Sequence, residues 1–154
     1  MERIESFKID HLKLESGLYV SRKDQKNGLT VTTFDMRITA PNKEPVIDMP
    51  ALHTIEHLGA TFLRNSDQKE NIVYFGPMGC QTGFYLLIRN ADNDKVLRVV
   101  KQVLRDIVSY DGEVFGNSEI ECGNYRTLCL DNAKNECKNY LEILESKEHT
   151  FLYN

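Results

Sequence analysis

The chain has 154 residues, a formal net charge of −4 and a composition that is 41% hydrophobic and 27% charged. Its length suits one domain with one core, 1–154, and its acidic balance gives no basis for nucleic-acid binding. No apolar run approaches the roughly 18–20 residues that a membrane span needs. The N-terminal stretch MERIESFKIDH lacks the apolar region of a signal peptide. We therefore expect a cytoplasmic protein that binds neither nucleic acid nor a membrane.

The first predicted elements are a hairpin and a helix. Residues 18–39 are rich in β-branched and aromatic side chains, and Asn27-Gly28 supplies a turn signal between two arms. A proline-rich loop follows over 40–50. A helix is then expected over about 50–65, with Asp48 as a plausible cap near its start.

The second half of the chain alternates strands and helices. Short strands are expected around 71–75 and 83–89. Apolar residues at helical spacing predict an amphipathic helix over 93–109. A glycine-bearing loop then leads through ECGNYR to a long polar helix that ends near 145. Together these elements predict an α+β fold in which a largely antiparallel sheet packs against helices.

The sequence HTIEH places His53, Glu56 and His57 on one face of the first predicted helix. Two histidines four residues apart can reach one ion, and a neighbouring glutamate can carry a proton, as in the HxxEH pattern of inverted zincins. A solvated helix would show the same polar face. The motif alone therefore favours metal binding and a plain surface equally, and it lacks a third ligand.

The four cysteines form no CxxC pair, and a reducing cytosol argues against a disulfide framework. Cys122 in ECGNY, expected just before or within the first turn of a helix, could complete a His/His/Cys set that suits zinc or ferrous iron. Spacing leaves Glu121 and Asp131 as alternative ligands. Cys80 lies in the turn sequence GPMGCQTG, where it is either an exposed reactive thiol or a thiol buried beneath the turn.

Five segments in this order resemble the S-ribosylhomocysteine lyase (LuxS) family: SFKIDH, TTFDMR, HTIEH, GPMGCQTGFY and ECGNYR. The resemblance implies cleavage of S-ribosylhomocysteine to homocysteine and 4,5-dihydroxy-2,3-pentanedione, the autoinducer-2 precursor used in quorum sensing. This reaction belongs to the activated methyl cycle and uses no organic cofactor. Two departures from the family pattern are Tyr74, where some members have an acidic residue, and Gln81, where many have arginine.

The resemblance also implies roles for individual residues. It implies one divalent metal per subunit, ferrous iron in the cell and often zinc or cobalt as isolated, bound by His53, His57 and Cys122. Cys80 and Glu56 would be the acid/base groups. It further implies a homodimer with shared active sites, in which three residues bind substrate or support the site: Ser6, His11 and Arg37. The competing hypotheses are a small HxxEH metallopeptidase, which would not need Cys80, and a non-catalytic metal-binding module.

Overall fold

The computed structural model describes Ile4 and residues 7–153. Within them, four strands form one antiparallel sheet in the order β1-β2-β4-β3. The strands are β1 (Gly17–Lys26), β2 (Leu29–Arg37), β3 (Ile72–Pro77) and β4 (Gly83–Arg89). Strands β1 and β2, and likewise β3 and β4, are consecutive in the chain and adjacent in the sheet. The chain passes from β2 to β3 through a helix.

The hairpin predicted over 18–39 is confirmed as β1 and β2. Lys26 pairs with Leu29, so Asn27 and Gly28 alone form the turn. Both turn residues have positive φ, 52° for Asn27 and 79° for Gly28. This is the conformation that a tight two-residue hairpin needs and that Asn-Gly adopts readily.

Three helices follow the same order as predicted: α1 (Met49–Arg64), α2 (Asn93–Ser109) and α3 (Leu130–Ser146). Asp48 caps α1 as expected, because its Oδ1 accepts a hydrogen bond of 2.7 Å from the Ala51 amide. Pro50 lies in the first turn, where its missing N–H costs nothing. The helix over 93–109 is confirmed at both ends.

The helices pack as a layer on one face of the sheet. Helix α1 contacts β3, α3 contacts β1, and the three helices contact one another. Alternate residues of the sheet enter this core, among them Phe34, Phe84 and Leu86, all of them fully buried. The helices contribute Leu58 and Tyr140 to the core. The Tyr140 hydroxyl donates a hydrogen bond to the Gly17 carbonyl at 2.8 Å. The predicted α+β fold with an antiparallel sheet against helices is confirmed.

No helix among the described residues is long and apolar enough to cross a membrane.

Candidate metal and thiol site

Helix α1 presents its two histidines on the face turned away from the core. Ile55 and Leu58 on the opposite face are buried, whereas His53, Glu56 and His57 are half-buried. The two imidazole rings meet edge to face, with centroids 4.6 Å apart. The helical spacing of HTIEH therefore produces the paired arrangement that the sequence suggested.

Cys122 joins these histidines from a distant part of the chain. Its Sγ lies 3.4 Å from His53 Nε2. In the described part of the chain, His53, His57 and Cys122 form a group whose ligand atoms all lie within 4.8 Å of one another. Cys122 precedes a short 3-10 turn, Tyr125–Thr127, and not the long helix, which begins at Leu130. The Asn124 amide donates a hydrogen bond to the Cys122 sulfur at 3.4 Å. Cys122 therefore receives a backbone N–H, as it would at the helix N-terminus that the sequence predicted.

Nδ1 of each histidine ring forms a hydrogen bond with a group outside α1. His57 Nδ1 lies 2.7 Å from the Phe115 carbonyl, and His53 Nδ1 lies 2.9 Å from the Thr127 hydroxyl. A carbonyl oxygen can only accept, so Nδ1 of His57 carries a proton, and in the neutral ring Nε2 then keeps its lone pair. Metal-binding histidines are usually oriented through such a hydrogen bond at the other ring nitrogen.

The donor set fits a divalent metal ion. Tetrahedral coordination at the usual metal–nitrogen and metal–sulfur lengths places ligand atoms about 3.3–3.6 Å apart, which the separation of Cys122 and His53 already matches. Burial lowers the pKa of His53, and the neighbouring His57 lowers it further against the opposing effect of Glu56. A neutral imidazole is the form that binds metal. Three protein ligands leave one position open for water or substrate, as in catalytic sites.

Cys80 lies in a second polar cluster, with Arg37 and Thr82. It lies in the tight turn between β3 and β4, closed by hydrogen bonds from Met78 N to Gly83 O and from Gln81 N to Met78 O. Its side chain is exposed, so it is not the thiol buried beneath the turn that the sequence left as an alternative. Partial burial alone would raise the pKa of Cys80, but hydrogen bonds with Thr82 and the charge of Arg37 outweigh it and lower the pKa.

A buried polar network supports Cys80 from below. Arg37 Nη1 lies 3.9 Å from the sulfur and donates to the Thr82 hydroxyl at 2.6 Å. Asp35 binds the same guanidinium through both carboxylate oxygens, at 3.1 and 2.7 Å, and Tyr153 donates to Asp35 at 2.9 Å. Asp35 and Arg37 are almost fully buried, so the pair is fixed in one geometry. The cation beside Cys80 is thus Arg37.

A backbone hydrogen bond connects the turn of Cys80 to the start of α1. The Ile47 amide donates to the Gln81 carbonyl at 3.0 Å, and Ile47 is the residue before the Asp48 cap. His53 lies within the first two turns of the helix that begins there. The thiol turn and His53 are therefore held at the same end of α1.

The remaining predicted residues have different outcomes. Glu56 lies between the two histidines on the exposed side of α1, close enough to affect the pKa of His53. The contact that the structure gives His11 is a 3.0 Å hydrogen bond from its Nδ1 to the Ile9 carbonyl, so its role stays a prediction. Ser6 lies outside the described residues.

Sequence reasoning missed Thr82, Thr127 and the carbonyl of Phe115. Thr82 follows Cys80 by two residues, a spacing that could have pointed to it. Thr127 contacts a histidine 74 positions away, and no local pattern reveals such a contact.

Comparison with known proteins agrees with this geometry. The family model described as S-ribosylhomocysteinase (LuxS) matches residues 4–150. A protein from Finegoldia magna named S-ribosylhomocysteine lyase is 48% identical over 155 residues, which cover 99% of both chains. Proteins of the same name from Borreliella afzelii and Clostridium acetobutylicum are 49% and 46% identical, over 99% and 95% of this chain. The chain therefore belongs to the S-ribosylhomocysteinase (LuxS) family.

Proposed function

We propose that the chain, as a single catalytic domain over 1–154, cleaves the thioether of S-ribosylhomocysteine to homocysteine and the pentanedione precursor of autoinducer-2. Family membership supports this activity. The observation that carries the proposal is the presence of two thiols in different surroundings. Cys122 faces an imidazole nitrogen, as a metal ligand would, whereas Cys80 faces a guanidinium and a hydroxyl, as a thiolate base would. A metallopeptidase would have no use for the second thiol.

The chemistry of the substrate explains why a proton carrier is needed. In β-elimination, the thiolate leaves one carbon after a proton is lost from the neighbouring carbon. That neighbouring carbon must itself be bonded to a carbonyl carbon, which makes its proton acidic. The carbonyl of the open-chain sugar begins at the far end of the chain, so it must migrate twice before elimination. Each migration moves a proton from one carbon to its neighbour, with no net oxidation or reduction.

We assign the proton transfers at carbon to Cys80. In each migration, the Cys80 thiolate takes the proton from the carbon beside the carbonyl and returns it to the former carbonyl carbon. In the last step, Cys80 takes the proton whose loss allows the carbon–sulfur bond to break. Arg37 and Thr82 stabilise the thiolate between these steps. Glu56 carries protons to and from the sugar oxygens, because its carboxylate lies beside the metal ligands.

A divalent metal held by His53, His57 and Cys122 would polarise the carbonyl oxygen and so acidify the neighbouring carbon. The His/His/Cys set suits zinc or ferrous iron, and we propose ferrous iron as the metal in the cell. Arg37, Ser6 and His11 complete the proposal as residues that bind the substrate or line its site.

We further propose a cytoplasmic homodimer with two shared active sites. Three large apolar side chains of the N-terminal segment are exposed in the single chain: Ile4 at 58%, Phe7 at 70% and Leu12 at 71%. Three exposed apolar side chains within nine residues support the proposal that a partner covers this segment. The partner would also shield the half-buried histidine face from bulk water. In this arrangement Ser6 and His11 serve the site of the neighbouring subunit.

The test is release of homocysteine from S-ribosylhomocysteine by the purified, metal-loaded protein, followed with a chromogenic thiol reagent. A sample without substrate corrects for the protein's own thiols. We expect Cys80→Ala to keep its metal and its circular dichroism spectrum but to release no homocysteine. Cys129→Ala is the matched control, since it removes a half-buried thiol that is not part of the site, and it should remain active. Undiminished turnover by Cys80→Ala would contradict the role of Cys80.

A further inference from the structure

The turn that carries Cys122 also contacts His53. Thr127, five residues after Cys122, places its hydroxyl oxygen 2.9 Å from His53 Nδ1. The same hydroxyl donates to the Asn124 carbonyl at 3.2 Å, and the Asn124 amide donates to Cys122 Sγ at 3.4 Å. Asn124 thus contacts Cys122 through its amide, and through its carbonyl it contacts Thr127, the residue that holds His53.

The direction of these hydrogen bonds follows from the number of protons. The Asn124 carbonyl can only accept, and the Thr127 hydroxyl has one proton, which it gives to that carbonyl. The hydroxyl oxygen must therefore accept from His53, so Nδ1 carries the ring proton. Nε2 then keeps its lone pair, and it is Nε2 that lies 3.4 Å from the Cys122 sulfur. The opposite tautomer would direct an N–H at the sulfur, and its lone pair would lie on Nδ1, away from the site of a metal.

We propose that Thr127 is a positioning residue of the metal site, which selects the metal-binding tautomer of His53 and ties that ring to Cys122 through the Asn124 peptide. The proposal rests on the metal site of the proposed function. His57 receives the equivalent support from the backbone carbonyl of Phe115 and not from a side chain. His53 depends on a side chain, so its support can be deleted selectively.

The turn is attached to α1 by a second contact that does not involve Thr127. The fully buried Thr54 hydroxyl accepts from the Cys129 amide at 2.7 Å and donates to the Pro50 carbonyl at 2.7 Å. Loss of the Thr127 hydroxyl also removes its bond to the Asn124 carbonyl, but the Thr127 amide still donates to that carbonyl at 3.4 Å. The turn should therefore stay in place while the His53 ring loses its hydrogen bond. Loss of a hydrogen bond to a metal-binding histidine typically weakens metal binding about 10- to 100-fold.

The experiment is titration of Co²⁺ alone into the metal-free full-length protein, followed by the thiolate-to-cobalt and ligand-field absorption bands. Thr127→Val removes the hydroxyl at nearly constant shape, and Thr127→Ser restores it. Thr61→Val is the matched control, because its hydroxyl lies on α1 but donates to the His57 carbonyl and not to a ring. Thermal unfolding of the metal-free variants reports the fold separately.

We expect Thr127→Val to bind Co²⁺ about 10- to 100-fold more weakly, with altered ligand-field bands, while its metal-free melting temperature stays close to wild type. Thr127→Ser should recover the affinity and the spectrum, and Thr61→Val should match wild type. Equal affinity and spectra for Thr127→Val and wild type would overturn the role of Thr127 alone. A wild-type protein that binds no Co²⁺ would instead overturn both this role and the metal site of the proposed function.

Discussion

Replacement of Gly116 by alanine should weaken the metal site through His57. Gly116 follows the Phe115 carbonyl that accepts from His57, and its φ of 73° lies in the left-handed region. An ideal Cβ at this position would lie 2.9 Å from His57 Nδ1 and 3.1 Å from Cε1, closer than side chains tolerate. The ring or the loop must therefore move, and the hydrogen bond that orients His57 is lost or bent.

The size of the effect can be separated into two parts. A non-glycine residue in the left-handed region costs about 1–2 kcal/mol, which corresponds to a fall of about 2–8 °C in melting temperature for a chain of this size. Gly28→Ala is the matched control, because Gly28 has a φ of 79° but, among the described residues other than its two chain neighbours, no atom lies within 4 Å of its ideal Cβ. Both variants should lose stability by similar amounts. Only Gly116→Ala should also lose metal affinity, by about 10-fold or more.

The assays are thermal unfolding of the metal-free proteins and Co²⁺ titration of the same samples. The difference between the two variants isolates the contact with His57 from the strain of the backbone. If Gly116→Ala bound Co²⁺ as tightly as Gly28→Ala and wild type, the Phe115–Gly116 loop would not orient His57, and the reasoning would be refuted.

Three further predictions follow from the same contacts. Burial raises the pKa of Cys80, but its hydrogen bonds with Thr82 help to lower that pKa overall. Thr82→Val should therefore move the pH midpoint of Cys80 alkylation by iodoacetamide upward, and an unchanged midpoint would contradict this. In metal analysis, Cys122→Ala should lose most of its bound metal. Asp131→Ala, which removes the alternative ligand suggested by spacing, should keep a stoichiometric amount. The reverse result would exclude Cys122 as the third ligand. Asp48→Ala should lower the free energy of unfolding in urea by about 1 kcal/mol, because it removes the cap of α1, and an unchanged midpoint would show that the cap is not needed.

The elements that depend on local patterns were predictable. The Asn-Gly turn fixes the register of the hairpin, because both of its residues adopt positive φ. The apolar spacing of 93–109 matches α2 at both ends, since one face of that helix is buried throughout. The histidine face of α1 follows in the same way from the burial of Ile55 and Leu58 on the opposite side. Where one face of an element meets the core, periodicity is enough.

The support of the site was not predictable from local patterns, because it depends on contacts between distant residues. Tyr153 reaches Asp35 across 118 positions, and Thr127 reaches His53 across 74. Neither residue belongs to a motif that the chemistry requires. The segment around Cys122 was also harder to predict, because it forms short irregular turns, in which the Cys122 amide donates to the Ser118 carbonyl at 3.0 Å, and because a distant residue, Thr54, anchors its end at Cys129. Its ligand role was suggested by the family resemblance, and the geometry of the turn explains how that role can be filled.

The most direct test of the account is homocysteine release from S-ribosylhomocysteine before and after removal of the metal. Protein treated with a chelator should release no homocysteine, and one equivalent of Fe²⁺ or Co²⁺ per chain, added without oxygen, should restore release. Cys122→Ala should not recover under the same treatment. Equal homocysteine release by the metal-free and the reconstituted protein would contradict the claim that this chain is a metal-dependent S-ribosylhomocysteine lyase.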